Sequence, residues 1–215
     1  MSRAETDAPL GRRLVLQMQS SLDGFVDAVH PDVSWQEWDW GDSTRWDADL
    51  RRDFNAVFDP VTTILLSRPM LEGGYLDHWQ RAALTHRSDP DYRFAQRILD
   101  VDKVAVSAYP ISTGWERTRV LAAPLTDAVA ELKGEGGGDI ICFGGVRFAS
   151  ALLEANLVDE LQLFVNPTAL GAGATIFAAA AGRGWRLSLE GSTPYECGIV
   201  VNRYRRAGTD RYSRR

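Results

Sequence analysis

An apolar run, Ile140-Ile141-Cys142-Phe143, ends at the glycine pair Gly144-Gly145. A helical pattern starts directly after it, over 145–155, with Phe148, Leu152 and Ala155 on one face. A strand that stops at glycines before a helix is suited to holding a phosphate. Small residues let a ligand approach the backbone, and the free amides of Val146, Arg147 and Phe148 at the helix start favour an anion. Arg147 either adds a guanidinium to that anion or stands solvated on the surface. The bland alternative for the whole turn is helix–strand packing. Other phosphate and catalytic signatures are missing. No P-loop lysine follows the glycines, and Gly171-Ala172-Gly173 has Ile176 where a dinucleotide fingerprint needs its third glycine. Neither a G-x-S-x-G elbow nor an H-E-x-x-H pair occurs. His30, His78 and His86 lie far apart, so they read as surface or loop residues and no metal site is expected.

Acids and tryptophans concentrate in one place. Between Asp32 and Asp59 eight acids face three arginines, so this segment carries a net −5, the formal charge of the whole 215-residue chain. Four of the seven tryptophans, Trp35, Trp38, Trp40 and Trp46, lie in it as well. An acidic chain with a pI near 5.3 is a poor nucleic-acid partner. Hydrophobic residues at 45% and charged residues at 25% are ordinary for a globular protein. No apolar run approaches a membrane span, and the first residues lack the apolar core of a signal peptide. Cys142 and Cys197, without C-x-x-C spacing, read as reduced thiols of a cytoplasmic protein.

The elements that must position these groups follow from periodicity. Residues 12–21 alternate as a strand, closed by the Asp23-Gly24 turn signal. Trp46, Leu50, Phe54, Val57 and Phe58 recur at helical spacing up to Pro60. "VTTILLS" reads as a buried strand, and the helix after it is weakened in the middle by Gly73-Gly74. "DYRFAQRILD" predicts a short helix, while "KVAVSAY" and "TRVLAA" predict strands. "LTDAVAELKG" predicts a helix with Thr126 as N-cap and Gly134 past its end. After "DIICF" and the helix that Asn156 terminates come a strand, "ELQLFV", a loop, "NPTALGAGATIF", and an antiparallel pair. Helices alternating with apolar strands imply an α/β fold with a mostly parallel sheet covered on both faces and an antiparallel C-terminal edge. One domain over 12–206 is expected, between tails at 1–11 and 207–215.

The chain resembles the dihydrofolate reductase-like superfamily, most of all the C-terminal reductase domain of bifunctional riboflavin-biosynthesis deaminase-reductases. The resemblance rests on "SLDGFV", "ILLSRPMLE", "KVAVS" and, most specifically, "GGVRFASALLEANLVDELQLFVNPTALGAGATIF", Gly144 to Phe177. It implies a three-layer fold and an enzyme that passes hydride from NADPH to a C=N or C=O bond of a small substrate. It also implies that the turn from Phe143 through Gly144, Gly145, Val146, Arg147 and Phe148 meets the cofactor pyrophosphate. Arg68 and Ser67 then stand at the cofactor phosphates, Ser107 near the 2′-phosphate, and Gln19 beside the nicotinamide with Ser20 and Ser21. Ser21 and Trp46 are the candidate substrate contacts.

Three departures from the family pattern stand out. Where the family has Gly-Arg-x-Thr, this chain has Ser67-Arg68-Pro69-Met70, which keeps the arginine but loses the threonine hydroxyl and one amide. The arginine that often follows Ser107 is Ala108. The glutamate that typically precedes the glycine pair in riboflavin-pathway reductases is Phe143, and the Ser/Thr-rich substrate loop is replaced by "VDAVHPDVSWQEWDW". These changes point to a substrate other than the phosphoribosyl compound. The tryptophans either stack on a planar substrate or form a lid packed on the core. Three carboxylates are candidates for catalysis: Asp23, or else a turn residue bonding its own backbone, and Asp49 and Asp53, or else a solvated helix face. The alternatives are the 5-amino-6-(5-phosphoribosylamino)uracil reductase of riboflavin biosynthesis, a non-catalytic NADPH-binding relative, and a structural homodimer using the antiparallel edge and the "NPTALGAG" loop. A flavin in the same cleft is a further option.

Overall fold

The computed structural model describes residues 11–37, 45–109, 111, 113–178 and 184–206. Trp38 and Trp40 lie outside the described residues, as do the expected tails apart from Gly11.

In chain order the elements are β1 (Leu14–Ser20), β2 (Asp27–Ala28), α1 (Ala48–Val57), β3 (Val61–Ser67), α2 (Arg68–Glu72), α3 (Tyr75–Thr85), a 3-10 turn (Pro90–Tyr92) and α4 (Arg93–Asp100). Then follow β4 (Asp102–Val106), β5 (Thr118–Leu121), α5 (Leu125–Gly134), β6 (Asp139–Cys142), α6 (Val146–Glu154), β7 (Glu160–Val165), β8 (Gly173–Ala174), β9 (Leu187–Pro194) and β10 (Val200–Arg206). Eight strands form one sheet in the order β5-β4-β3-β6-β1-β7-β10-β9. Every pairing from β5 to β7 is parallel, and β10 runs antiparallel to both β7 and β9. This is the mostly parallel α/β sheet with an antiparallel edge that the alternation of apolar runs implies.

Each face of the sheet carries its own core. On one, Leu50 and Phe54 of α1, Leu76 and Trp79 of α3, and Phe94 and Ile98 of α4 cover Ile64, Leu66 and Ile141. On the other, Val129 and Leu132 of α5 and Ala149 and Leu152 of α6 cover Leu14, Leu16, Leu65 and Ile140. Alternate residues of β1 and β3 therefore feed opposite cores, which is why both strands are apolar nearly throughout. Each such Leu, Ile or Phe contributes roughly 1.5–3 kcal/mol by its burial.

The predicted weak point in the helix after β3 is a true break. Gly73 ends α2, and Gly74 starts α3 in a left-handed conformation, φ +82°. Asn156, at φ +57°, follows α6 as expected. The start of α5 differs from expectation. Pro124 takes the cap position, φ −52° and ψ 145°, and its carbonyl accepts the amides of Asp127 and Ala128. Thr126 therefore falls inside the helix, and Gly134 is its last residue. The strand expected over "KVAVSAY" stops at Val106, because the Ser107 hydroxyl turns to accept the Tyr109 amide at 3.1 Å. Within "NPTALGAGATIF" Gly173-Ala174 pairs with Asp27-Ala28. A Cβ on Gly173 would meet the Asp27 carbonyl at 2.2 Å, so only glycine permits that approach.

Candidate functional site

The C-terminal ends of β3, β4 and β6 open into a cleft of about 950 Å³ between α2–α3, on one face of the sheet, and α6, on the other. Met70, Tyr75, Val106, Val146, Phe148 and Ala151 give it apolar lining. Its charged lining is wholly basic, Arg68, Arg81 and Arg147, with His78 beside them and without one aspartate or glutamate. A cationic cleft in an acidic chain suits an anion, and apolar walls suit a planar ring beside it.

The glycine pair is built for this position, and its two members differ. Gly144 has φ +117°, and a Cβ there would lie 3.2 Å from the Met18 sulfur. Gly145 is exposed and lines the cleft, and a Cβ added to it would meet no atom within 4 Å. The peptide between them is cis. No side chain caps α6, and its first intrahelical bond runs from the Ala149 amide to the Gly145 carbonyl. The amides of Val146, Arg147 and Phe148 precede that bond and have no helical acceptor.

Across the cleft, the start of α2 is arranged oppositely. The Ser67 hydroxyl accepts the Met70 amide at 3.4 Å, and Pro69 has no amide to give. Arg68 donates from Nε to both carboxylate oxygens of Glu72, at 3.1 and 3.0 Å. Arg81 and Arg147 make no hydrogen bond or ion pair with any of the described residues.

The remaining sequence candidates fall into two other groups. At the end of β1, Ser21 is buried and donates its hydroxyl to Asp23 at 2.6 Å. Asp23 also accepts the amides of Leu170, at 3.1 Å, and Gly171, at 2.6 Å. The Ser21 hydroxyl and these two amides hold the Asp23 carboxyl down to about 2. Asp23 is thus a turn anchor that bonds locally, to Ser21 and its own backbone, and also reaches the distant loop at Leu170 and Gly171. Gln19 accepts from the Asn166 side chain at 2.8 Å.

The second group lies on and before α1. Asp49 is 70% exposed and pairs with Arg52 at 2.5 Å, which matches the solvated-face alternative. Asp53 accepts the Tyr195 hydroxyl at 2.9 Å, and both burial and this bond push the tyrosine's pKa up. Asp49 and Asp53 share Arg52 on the outer face of α1, apart from Asp23, so the three do not meet in one apolar pocket. Trp46 is buried and stacks on Phe164, ring centroids 5.6 Å apart, with Phe54 edge-on at 5.1 Å. Phe164 covers a face of its ring, the kind of contact the packed-lid alternative calls for. Phe143 stacks on Phe58 at 5.9 Å, so it turns into the core beneath the glycine pair. Ser107 is buried on its own turn, and Val106 lines the cleft in its place.

Three contributors are not apparent from the sequence alone. Asn166 is fully buried; its amide group donates to Gln19, Ser20 and Phe164 and accepts from the Glu37 amide at 2.8 Å. It ties the ends of β1 and β7 to the segment before α1. His78 and Arg81 belong to the cleft, so the histidine is not the plain surface or loop residue that its sequence context suggests. His78 and Arg81, three apart on α3, share a polar stripe, but nothing in the sequence alone points it at the cleft.

Residues 12–201, which span both the cleft and the end of β1, match the RibD C-terminal domain family. The chain belongs to the RibD C-terminal domain family. Among curated relatives, it is 25% identical to the uncharacterized protein YyaP of Bacillus subtilis over 77% of this chain and 80% of YyaP. It is 28% identical to the riboflavin biosynthesis protein RibD of Corynebacterium ammoniagenes, over 77% of this chain and 46% of that protein. The chain thus spans about half the length of that RibD. Among solved structures, the riboflavin biosynthesis reductase Rib7 of Saccharomyces cerevisiae aligns with a TM-score of 0.55 at 14% identity, covering 94% of this chain and 93% of Rib7. Dihydrofolate reductase from Enterococcus faecalis, complexed with NADP(H), aligns with a TM-score of 0.52 at 14% identity, covering 91% and 97%. The RibD C-terminal domain here therefore has the dihydrofolate reductase-like fold, and as a family member it is an enzyme of the reductase class. Among the described residues no helix is long and apolar enough to cross a membrane.

Proposed function

We propose that this RibD C-terminal domain protein binds NADPH in the basic cleft and reduces a C=N or C=O bond of a small heterocyclic molecule. The observation that carries the reading is the uncapped start of α6 behind an open Gly145, in a cleft whose charged lining is all basic. The NADP(H) complex of the similarly folded Enterococcus reductase supports it. When bound, the cofactor supplies the hydride. The protein's own contributions are then distinct. The amides of Val146, Arg147 and Phe148 hold the diphosphate, and Met70, Val106 and Phe148 offer apolar surface to a ring. The Asn166 network fixes Gln19 at the end of β1.

The substrate side favours a molecule without a phosphate. Phe143 brings no polar group to the mouth, and the segment from Asp32 to Asp59 is strongly acidic. The second reading is the phosphoribosylaminouracil reductase of riboflavin biosynthesis, favoured by the match to the Corynebacterium RibD. Loss of nicotinamide absorbance with a panel of pterins, folates and ribitylamino- and phosphoribosylamino-pyrimidines separates the two. Turnover only with the phosphoribosyl compound establishes the second reading. Failure to bind NADPH or NADH at millimolar concentration, followed by tryptophan fluorescence, defeats both. The open edge of β9, where Leu189 is exposed, supports assembly as a homodimer, which light scattering tests.

A further inference from the structure

Resting on the reading of the cleft as a dinucleotide site, we infer that α3 supplies its phosphate-discriminating wall. Arg81, with His78 one turn before it, takes the monoester phosphate that distinguishes NADPH from NADH. Four observations lead there. First, a dinucleotide whose diphosphate lies on the amides of α6 has that end of the cleft already satisfied. Any further phosphate must find its charge partner on another wall. Second, the groups at β3 and β4 that the sequence offers for this task are engaged elsewhere. Ser107 is buried on the Tyr109 amide, Ala108 carries no charge, and Arg68 gives its Nε to Glu72, so a ligand there competes with an ion pair.

Third, Arg81 lines the cleft, is exposed, and has no partner among the described residues. An unpaired guanidinium offers a phosphate two parallel hydrogen bonds without first breaking an ion pair. Fourth, the break at Gly73-Gly74 is what brings α3 to the cleft. Gly74 in its left-handed conformation redirects the chain, so that Leu76 and Trp79 enter the core while Tyr75, His78 and Arg81 line the cavity. His78 packs edge-on against Trp79, ring centroids 4.8 Å apart, and so is placed by the core.

The test is equilibrium titration of the intact chain with NADPH, NADH, 2′-phospho-AMP and 5′-AMP, for wild type and for Arg81→Ala, Arg81→Lys and His78→Gln. Arg81 is a surface residue, so its variants keep the fold, and thermal melting verifies that. Arg81→Ala is expected to weaken NADPH and 2′-phospho-AMP about tenfold or more, the effect of losing a charge-assisted contact. NADH and 5′-AMP change less than about threefold, and Arg81→Lys recovers part of the loss. His78→Gln produces a smaller shift in the same direction. Equal loss for NADPH and NADH, or no loss for either, overturns the inference while leaving the dinucleotide site standing. Equal affinity of wild type for NADPH and NADH does the same. If wild type binds none of the four, the reading of the cleft falls as well, a result distinct from the others.

Discussion

At the C-terminal ends of the strands, Arg81 and Arg147 line a cleft without partners among the described residues. At the N-terminal ends of β3, β4 and β5, a groove of about 760 Å³ is lined by Arg12, Arg97, Lys103, Arg117 and Arg119, and all five are engaged. Arg12 donates to the carbonyls of Gly138 and Leu132 and to the hydroxyls of Thr62 and Thr63. Lys103 donates to the Leu99 carbonyl at 2.5 Å, and Arg97 donates to those of Phe58 and Val61. Arg117 pairs with Asp102, and Arg119 with Glu135. Both cavities collect cations, but the groove also holds Asp100, Asp102 and Glu135, whereas the cleft lining has no acid. The helix end that faces each adds to this difference. At one end, last-turn carbonyls of α4 and α5 at Leu99 and Leu132 take Lys103 and Arg12, while Asp102 and Glu135 take Arg117 and Arg119. At the other end the amides of α6 attract an anion rather than a lysine or arginine, so Arg81 and Arg147 stay available.

The sharpest way to break this contrast is to remove one cation from each end. Arg12→Ala leaves buried acceptors unpaired and is expected to cost about 3 kcal/mol or more of stability, read by urea denaturation. NADPH affinity of the folded fraction stays unchanged. Arg147→Ala is expected to do the reverse, with a melting temperature near wild type and NADPH and NADH both weakened about three- to tenfold. A destabilised Arg147→Ala, or a stable Arg12→Ala, erases the distinction.

The glycine pair sharpens it further. Gly144→Ala places a side chain at φ +117° against the Met18 sulfur and is expected to cost about 1–3 kcal/mol. Gly145→Val points into open cleft, so stability holds within about 0.5 kcal/mol. Its dinucleotide affinity is expected to fall at least about tenfold, because the new side chain would stand where the proposed site receives the diphosphate. The smallest effect belongs to Asp23. Its folded pKa, about 2, lies below the ordinary 3.8, so its anchoring of the Leu170-Gly171 loop is complete above the unfolded value and lost as pH falls toward 2. Asp23→Asn removes that pH dependence between about 4 and 2, measured as the acid-unfolding midpoint.

How much of this is legible in the sequence depends on separation along the chain. The apolar runs mark the strands because burial on both faces demands continuous hydrophobicity at β1, β3 and β6. The glycine turn and the break at Gly73-Gly74 are local events with local signals. Trp46 is ambiguous in the sequence because the ring that covers it, Phe164, comes from β7. Asp23 reads as a turn residue but not as the anchor of a loop 147 positions away. Asn166 carries no signal, since a buried amide serving three strand-end groups looks like any loop asparagine. Arg81 carries the α3 stripe openly, but only the left-handed Gly74 decides which way that stripe faces.

The central claim is that the start of α6, and not the larger set of cations at the opposite end, receives the ligand. A crystal structure with NADPH tests it most directly. The account predicts diphosphate oxygens within hydrogen-bond distance of the amides of Val146, Arg147 and Phe148, over an unobstructed Gly145. A diphosphate held instead in the groove by Arg117 and Arg119 contradicts it, as does a cofactor bound elsewhere with α6 untouched.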